Sequence, residues 1–161
     1  MDERWRIELL GGLRAVQGER TITHFRTRKT GILLAYLAYY RHRVHRREEL
    51  IELLWPERDP AAGRDSLSTA LVWLRRALQP RRVESRELRV ESGGESSPAG
   101  LSTLSSRLST VIVADRASVQ LNPTAVTTDA AAFKAALRSA ARAESSVERA
   151  EFLAQAVERY R

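Results

Sequence analysis

One stretch limits what the rest of the chain can be: PERDPAAGRDSLSTALVWLRRALQP, from Pro56 to Pro80. It predicts one long helix with a marked start, a marked end and two unlike faces. Asp59 can accept hydrogen bonds from the first free amides, and Pro60 suits the first helical position, where its missing N–H is not needed. Pro80 stops the run, and Arg75 and Arg76 fall in the last turns, where the helix dipole favours positive charge. At about 1.5 Å of rise per residue the helix spans roughly 28 Å. Leu67, Leu71, Leu74 and Leu78 recur at helical spacing, with Ala70 and Ala77 on one flank, so this ridge is expected to be buried. Asp65, Ser68, Thr69, Val72, Trp73 and Arg76 point the other way. Small hydroxyls and an arginine on a face turned from the core suit a helix lying in a DNA major groove. An ordinary amphipathic helix with a solvated outer face fits the same residues, so the choice falls to its neighbours.

Charge favours the groove. The 161-residue chain carries a net +7, and it is unevenly placed. Residues 1–82 hold 17 Lys and Arg against 10 Asp and Glu, whereas residues 83–161 hold 10 of each. A positive excess confined to the half with the long helix is what a polyanion needs, because phosphate contacts supply most non-specific affinity; it also fits plain solubilisation. The apolar and charged fractions, 43% and 29%, are those of a globular protein with one modest core. Absence of cysteine rules out disulfides and thiolate metal sites and fits a cytoplasmic location. The charged start MDERWRIELLGG lacks the apolar run of a signal peptide, and no stretch approaches the roughly 20 apolar residues of a membrane span.

In chain order, Trp5 to Leu10 alternates as a strand and is turned by Gly11 and Gly12; Leu13 to Val16 and Thr21 to Phe25 read as short strands around Gln17-Gly18. Together they predict a small antiparallel sheet, too little to stand alone. Arg28 to Tyr40 predicts a core helix capped by Thr27, with Ile32, Leu33, Leu34, Leu37 and Tyr40 as its apolar content and Gly31 marking close packing. A shorter helix follows from Arg46 to Trp55, with Leu50, Leu53, Leu54 and Trp55 on its buried side. Short helix, brief loop and long helix form a helix-turn-helix with the second helix as reader. Arg46 and Arg47, at the start of the supporting helix, can grip flanking phosphates or pair with Glu49 or Glu52 as surface charges.

Residues 83–109, rich in serine and glycine, read as a long loop or insertion, with a stray strand at Leu88 to Val90. Thr110 to Ala114 and Ala117 to Leu121 then predict a hairpin around Asp115-Arg116, the wing of a winged helix with Arg116 at its tip. Beyond Asn122-Pro123, Asp129 is expected to cap one helix, and Ser145 with Glu148 has capping-box spacing for another. Ala150, Leu153, Ala154, Val157 and Tyr160 share one side of that last helix. A single antiparallel pair cannot bury both apolar faces, so the pair is expected to open a longer, here truncated, helical module.

The series RKTGILLAYLAYYRHRVHRREELIELLWPE followed by AAGRDSLSTALVWLRRAL resembles the winged-helix domain of SARP-type bacterial transcription activators. TTDAAAFKAALRSA followed by AEFLAQAVERYR resembles the opening of the tetratricopeptide-like bacterial transcriptional activator domain of that family. The resemblance implies an α+β winged helix-turn-helix over residues 1–126: a small N-terminal antiparallel sheet, three helices and a C-terminal β-hairpin wing. It implies an all-α helix pair over 127–161. It places a reading helix at 61–79, with Arg75 and Arg76 on the family's basic pair and Arg64 on its basic position near the helix start. Two departures stand out. His45 sits where a small hydroxyl residue commonly caps the supporting helix, and Val72 and Trp73 stand where polar residues are more usual, with Trp73 expected as a partly buried flank residue.

The implied function is sequence-specific binding of double-stranded DNA by a transcriptional activator. Phosphate contacts are expected from Arg46, Arg47, Arg75 and Arg116, and base reading from Ser68, Thr69, Val72 and Arg76; Val72 suits a thymine methyl. RNA polymerase and a homodimer on direct repeats are partners implied by the resemblance. The sequence supports no enzyme: His24, His42 and His45 lack metal-ligand spacing, and no phosphate-cradling glycine loop or nucleophile elbow is present. No cofactor is expected. The alternative is a protein-interaction module of the same fold that has lost DNA and uses Val72 and Trp73 as an apolar contact.

Overall fold

The structure is a computed structural model and describes residues 4–79 and 110–160. Pro80 and the serine-rich stretch 83–109, with the strand expected at Leu88 to Val90, lie outside the described residues.

Four short strands make the first sheet. β1 (Trp5–Glu8), β2 (Arg14–Gln17) and β3 (Arg20–Ile22) form an antiparallel meander, and its turns use Gly11, Gly12 and Gly18 at positive φ. The alternation of Trp5 and Ile7 inward with Arg6 outward is the one read from sequence. The fourth strand was not legible there. It pairs parallel to β1, Trp5 opposite Val126, and comes from the far end of the chain.

Helix α1 (Arg28–Tyr39) starts at Thr27, whose hydroxyl accepts from the Thr30 amide. Leu33, Leu34 and Leu37 are fully buried, but Ile32 and Tyr40 stand exposed. An apolar helix therefore keeps a wet side. Gly31 lies against Leu13 and Phe25, whose ring atoms would be 3.3 Å from an added Cβ, which confirms the close packing expected there.

A two-residue strand, β4 (His45–Arg46), leads directly into α2 (Arg47–Leu54). His45 is a wholly buried strand residue and Arg46 takes the cap position without a side-chain hydrogen bond. Leu50, Leu54 and Trp55 are buried as expected; Leu53 is exposed. Next, α3 (Pro60–Ala77) begins at Asp59, which accepts from the Ala62 amide. α2 and α3 approach closely at Gly63, where a Cβ would fall 2.4 Å from Cγ2 of Ile51.

β5 (Ile112–Ala114) and β6 (Ser118–Leu121) form a hairpin whose second strand pairs with β4, giving a three-stranded sheet in the order β4-β6-β5. β7 (Val126–Thr128) is the parallel strand of the first sheet and runs straight into α4 (Asp129–Arg142), followed by α5 (Ser146–Glu158). The boundary drawn at residue 126 thus falls inside β7. Thr128, not Asp129, caps α4, its hydroxyl accepting from Ala131. The Asp129 carboxylate instead accepts from the Leu9 and Leu10 amides at 2.8–2.9 Å, pinning the helix pair to the end of β1. Ser145 caps α5 by accepting from Glu148. No helix among the described residues is long and apolar enough to cross a membrane.

Candidate nucleic-acid interface

The ridge Leu67, Leu71, Leu74 and Leu78 is at most 3% exposed, and each such burial contributes roughly 1.5–3 kcal/mol. This fixes the rotation of α3 about its axis, so the opposite face is turned outward as a set. Asp65, Ser68, Thr69, Val72 and Arg76 are all exposed there, Val72 at 49%. Trp73 is the flank residue expected. It is half-buried, packed on the core, with its ring edge-on to Phe25 at 5.9 Å.

Two arginines tie the hairpin to this helix. The Arg47 backbone amide donates to Ala117, while its guanidinium donates to the Asp115 carbonyl at 2.6 Å and to the Ser68 hydroxyl at 3.2 Å. One side chain thereby joins the start of α2, the hairpin turn and the exposed face of α3. Arg75 reaches β5, donating to the carbonyl of Ala114 at 3.1 Å and, more weakly, to that of Ile112 at 3.4 Å. β5 is an edge strand, and Arg75 occupies carbonyls that another strand would seek. Both arginines have internal work that spacing alone did not reveal.

The turn is fixed from within. Asp115 accepts from the Ala117 and Ser118 amides and from the Ser118 hydroxyl, and these bonds hold its carboxyl below the usual carboxylate range, with Arg47 adding to the effect. Its negative charge is directed into the turn, leaving Arg116 exposed at the tip. The side chains of Arg64, Arg76 and Arg116 make no hydrogen bond or ion pair among the described residues, and that of Arg46 has only a 4.0 Å approach from Glu48. Asp65 is the acidic member of the outward set of α3.

A further residue, Arg20 of β3, was missed. Its guanidinium donates to the carbonyls of Ala77 (2.6 Å) and Gln79 (3.0 Å) at the end of α3 and lies over the Trp5 ring at 5.3 Å. A cation on the last carbonyls both satisfies them and complements the dipole. No local signal announces it, because partner and donor lie more than fifty residues apart. The histidines sit in different surroundings. His42 accepts from Arg41, whereas His45 is sealed between Tyr36 and Tyr40 with neither ring nitrogen hydrogen-bonded among the described residues. Burial, then the nearby Arg43 charge, lowers the His45 pKa, with Glu49 acting in the opposite sense.

The chain superimposes on Mycobacterium tuberculosis EmbR, solved in complex with a low affinity phosphopeptide, with a TM-score of 0.66 and 23% identity. The likeness is one of fold. It takes in 98% of this chain but 36% of the EmbR chain, so the sequence spans about a third of that protein. No family model matches the chain, and no curated protein matches it.

Proposed function

We propose that this chain is a sequence-specific double-stranded DNA-binding transcriptional regulator of the SARP type, with a winged helix-turn-helix whose reader is α3. The observation that carries the reading is the exposure of Ser68, Thr69, Val72 and Arg76 on one face, opposite a leucine ridge that cannot rotate outward. In this reading Arg76 and the hydroxyls meet base edges and Val72 meets a thymine methyl. Arg46, Arg64 and Arg116 take phosphates on either side of the groove. Arg47 and Arg75 act at the rim and, through their bonds to the hairpin, set the distance between wing and reader. The fold shared with EmbR supports the architecture.

Residues 127–161 are then the opening of a tetratricopeptide-like activator domain, suited to contact with RNA polymerase and to assembly of a homodimer on direct repeats in the cytoplasm. Selection of bound duplexes from a random pool, followed by fluorescence-anisotropy titration, tests the reading. Binding should weaken steeply between low and moderate salt, as counterion release requires. Arg76→Ala should lower affinity for the selected site by about 1–3 kcal/mol and relax specificity at one position. Salt-independent binding, or no duplex enriched, would overturn the proposal.

A further inference from the structure

Between the end of α1 and the first turns of α4 lies a groove of about 450 Å³. Its apolar lining is the Tyr39 ring with Ala130, Ala131 and Ala135, and its charged lining is Arg41, Lys134 and Arg138. No carboxylate lines it among the described residues. A second groove, on the first sheet, shows the contrast. There Arg6 and Arg14 both ion-pair with Glu8, at 2.8 and 2.6 Å, and Asp129 and Glu158 line the wall with Arg159, so each cation of the lining is matched by a carboxylate in number.

The cations of the junction groove are held in place without being neutralised. Arg41 donates to the Val126 carbonyl at 3.0 Å, which leaves its charge uncompensated. Lys134 places its ammonium 3.7 Å from the centre of the Tyr39 ring, a cation–π contact that also keeps the charge. Arg138, one turn further along α4, is exposed, and its side chain has no hydrogen bond or ion pair among the described residues. Like charges at this spacing on one helix face repel, and a bound anion relieves that repulsion. Duplex phosphates would need only the exposed cations and make no use of the tyrosine and alanine lining, whereas small-ligand sites combine an apolar wall with a few convergent polar groups.

We propose that this groove binds a small aromatic phosphate monoester, with its dianion on Lys134 and Arg138 and its ring against the alanines, beside the Tyr39 face that Lys134 covers. One wall belongs to α1 and its connector and the other to α4, so an occupant bridges the helix pair and the three-helix unit. The proposal is independent of the DNA-binding reading.

Isothermal titration calorimetry of the 161-residue chain with phenyl phosphate and with AMP tests it, using inorganic phosphate and adenosine as comparators. Saturable binding of one of the two monoesters tighter than about 1 mM is expected, at least about tenfold tighter than inorganic phosphate or adenosine. Arg138→Glu, which reverses a charge, should weaken it by about tenfold or more, and Lys134→Gln, which removes a charge without adding one, by a smaller factor. Neither change touches a buried side chain, and unaltered thermal unfolding of the unliganded variants checks this. Absence of saturable binding by both monoesters overturns the proposal, as does equal affinity for inorganic phosphate or indifference to both substitutions. Loss of duplex affinity in Arg138→Glu with no monoester binding overturns it too, and assigns these cations to a DNA backbone.

Discussion

Helices α3 and α5 both carry an apolar stripe, and their fates differ. On α3, Leu67, Leu71, Leu74 and Leu78 are covered by α1, α2 and β5. On α5, Val147, Leu153 and Val157 remain 67%, 42% and 69% exposed, and Ala156 is the buried residue of that helix. α5 packs chiefly on α4, and the side chains buried between them are alanines: Ala136, Ala140 and Ala156. Small residues let two helices approach but remove little apolar surface from water. Helical period identifies which side of a segment is apolar; coverage depends on what else the chain brings there.

The largest test of that contrast is a pair of truncations. Leu74→Ala should lower the unfolding free energy measured in urea by about 2–5 kcal/mol, because it empties a fully buried site. Leu153→Ala should change it by less than about 0.5 kcal/mol. Similar losses would break the distinction. A second test asks how tightly α3 is held. Gly63→Ala puts a methyl into the Ile51 side chain and should cost about 1–3 kcal/mol, with part recovered in the Gly63→Ala/Ile51→Ala double variant.

His45 sharpens the comparison through pH. Its folded pKa is lowered, so near neutrality the native chain binds fewer protons than the unfolded one. The stability due to its neutral, buried ring is therefore present above the unfolded pKa of about 6.5 and drains as pH falls below it. Urea midpoints at several pH values should decline on acidification, and His45→Phe should flatten that decline. The smallest expected effect is that of Arg76→Ala on stability, within about 0.5 kcal/mol by the same measurement. A larger loss would mean that the outward face of α3 helps hold the fold.

Much of the architecture was legible because its signals are local. Thr27, Asp59 and Ser145 each accept from an amide three residues on, as side chains of their type do at helix starts. The Asp115 turn and the leucine ridge are likewise set by spacing along a few residues. The misreadings share a different character. Apolar character alone predicts a buried place for Ile32, Leu53 and Tyr40, yet the unit has only so many covered sides. Its place before a helix predicts Asp129 as a cap; Thr128 takes that role and leaves the carboxylate to meet Leu9 and Leu10, some 120 residues earlier. Among the candidate DNA contacts, spacing correctly put Ser68, Thr69, Val72 and Arg76 outward but was blind to the hairpin bonds of Arg47 and Arg75.

The sequence by itself determined where helices begin, which sides of them are apolar and where the positive charge is concentrated, since each follows from residues within a turn or two of one another. Only the tertiary structure decided that β7 returns to pair with β1, that Arg20 closes the end of α3, and that Arg47 links hairpin to helix. Those contacts join residues far apart in the chain, and a guanidinium or strand edge carries no mark of which distant carbonyl it will find until packing of the buried leucines has fixed the frame.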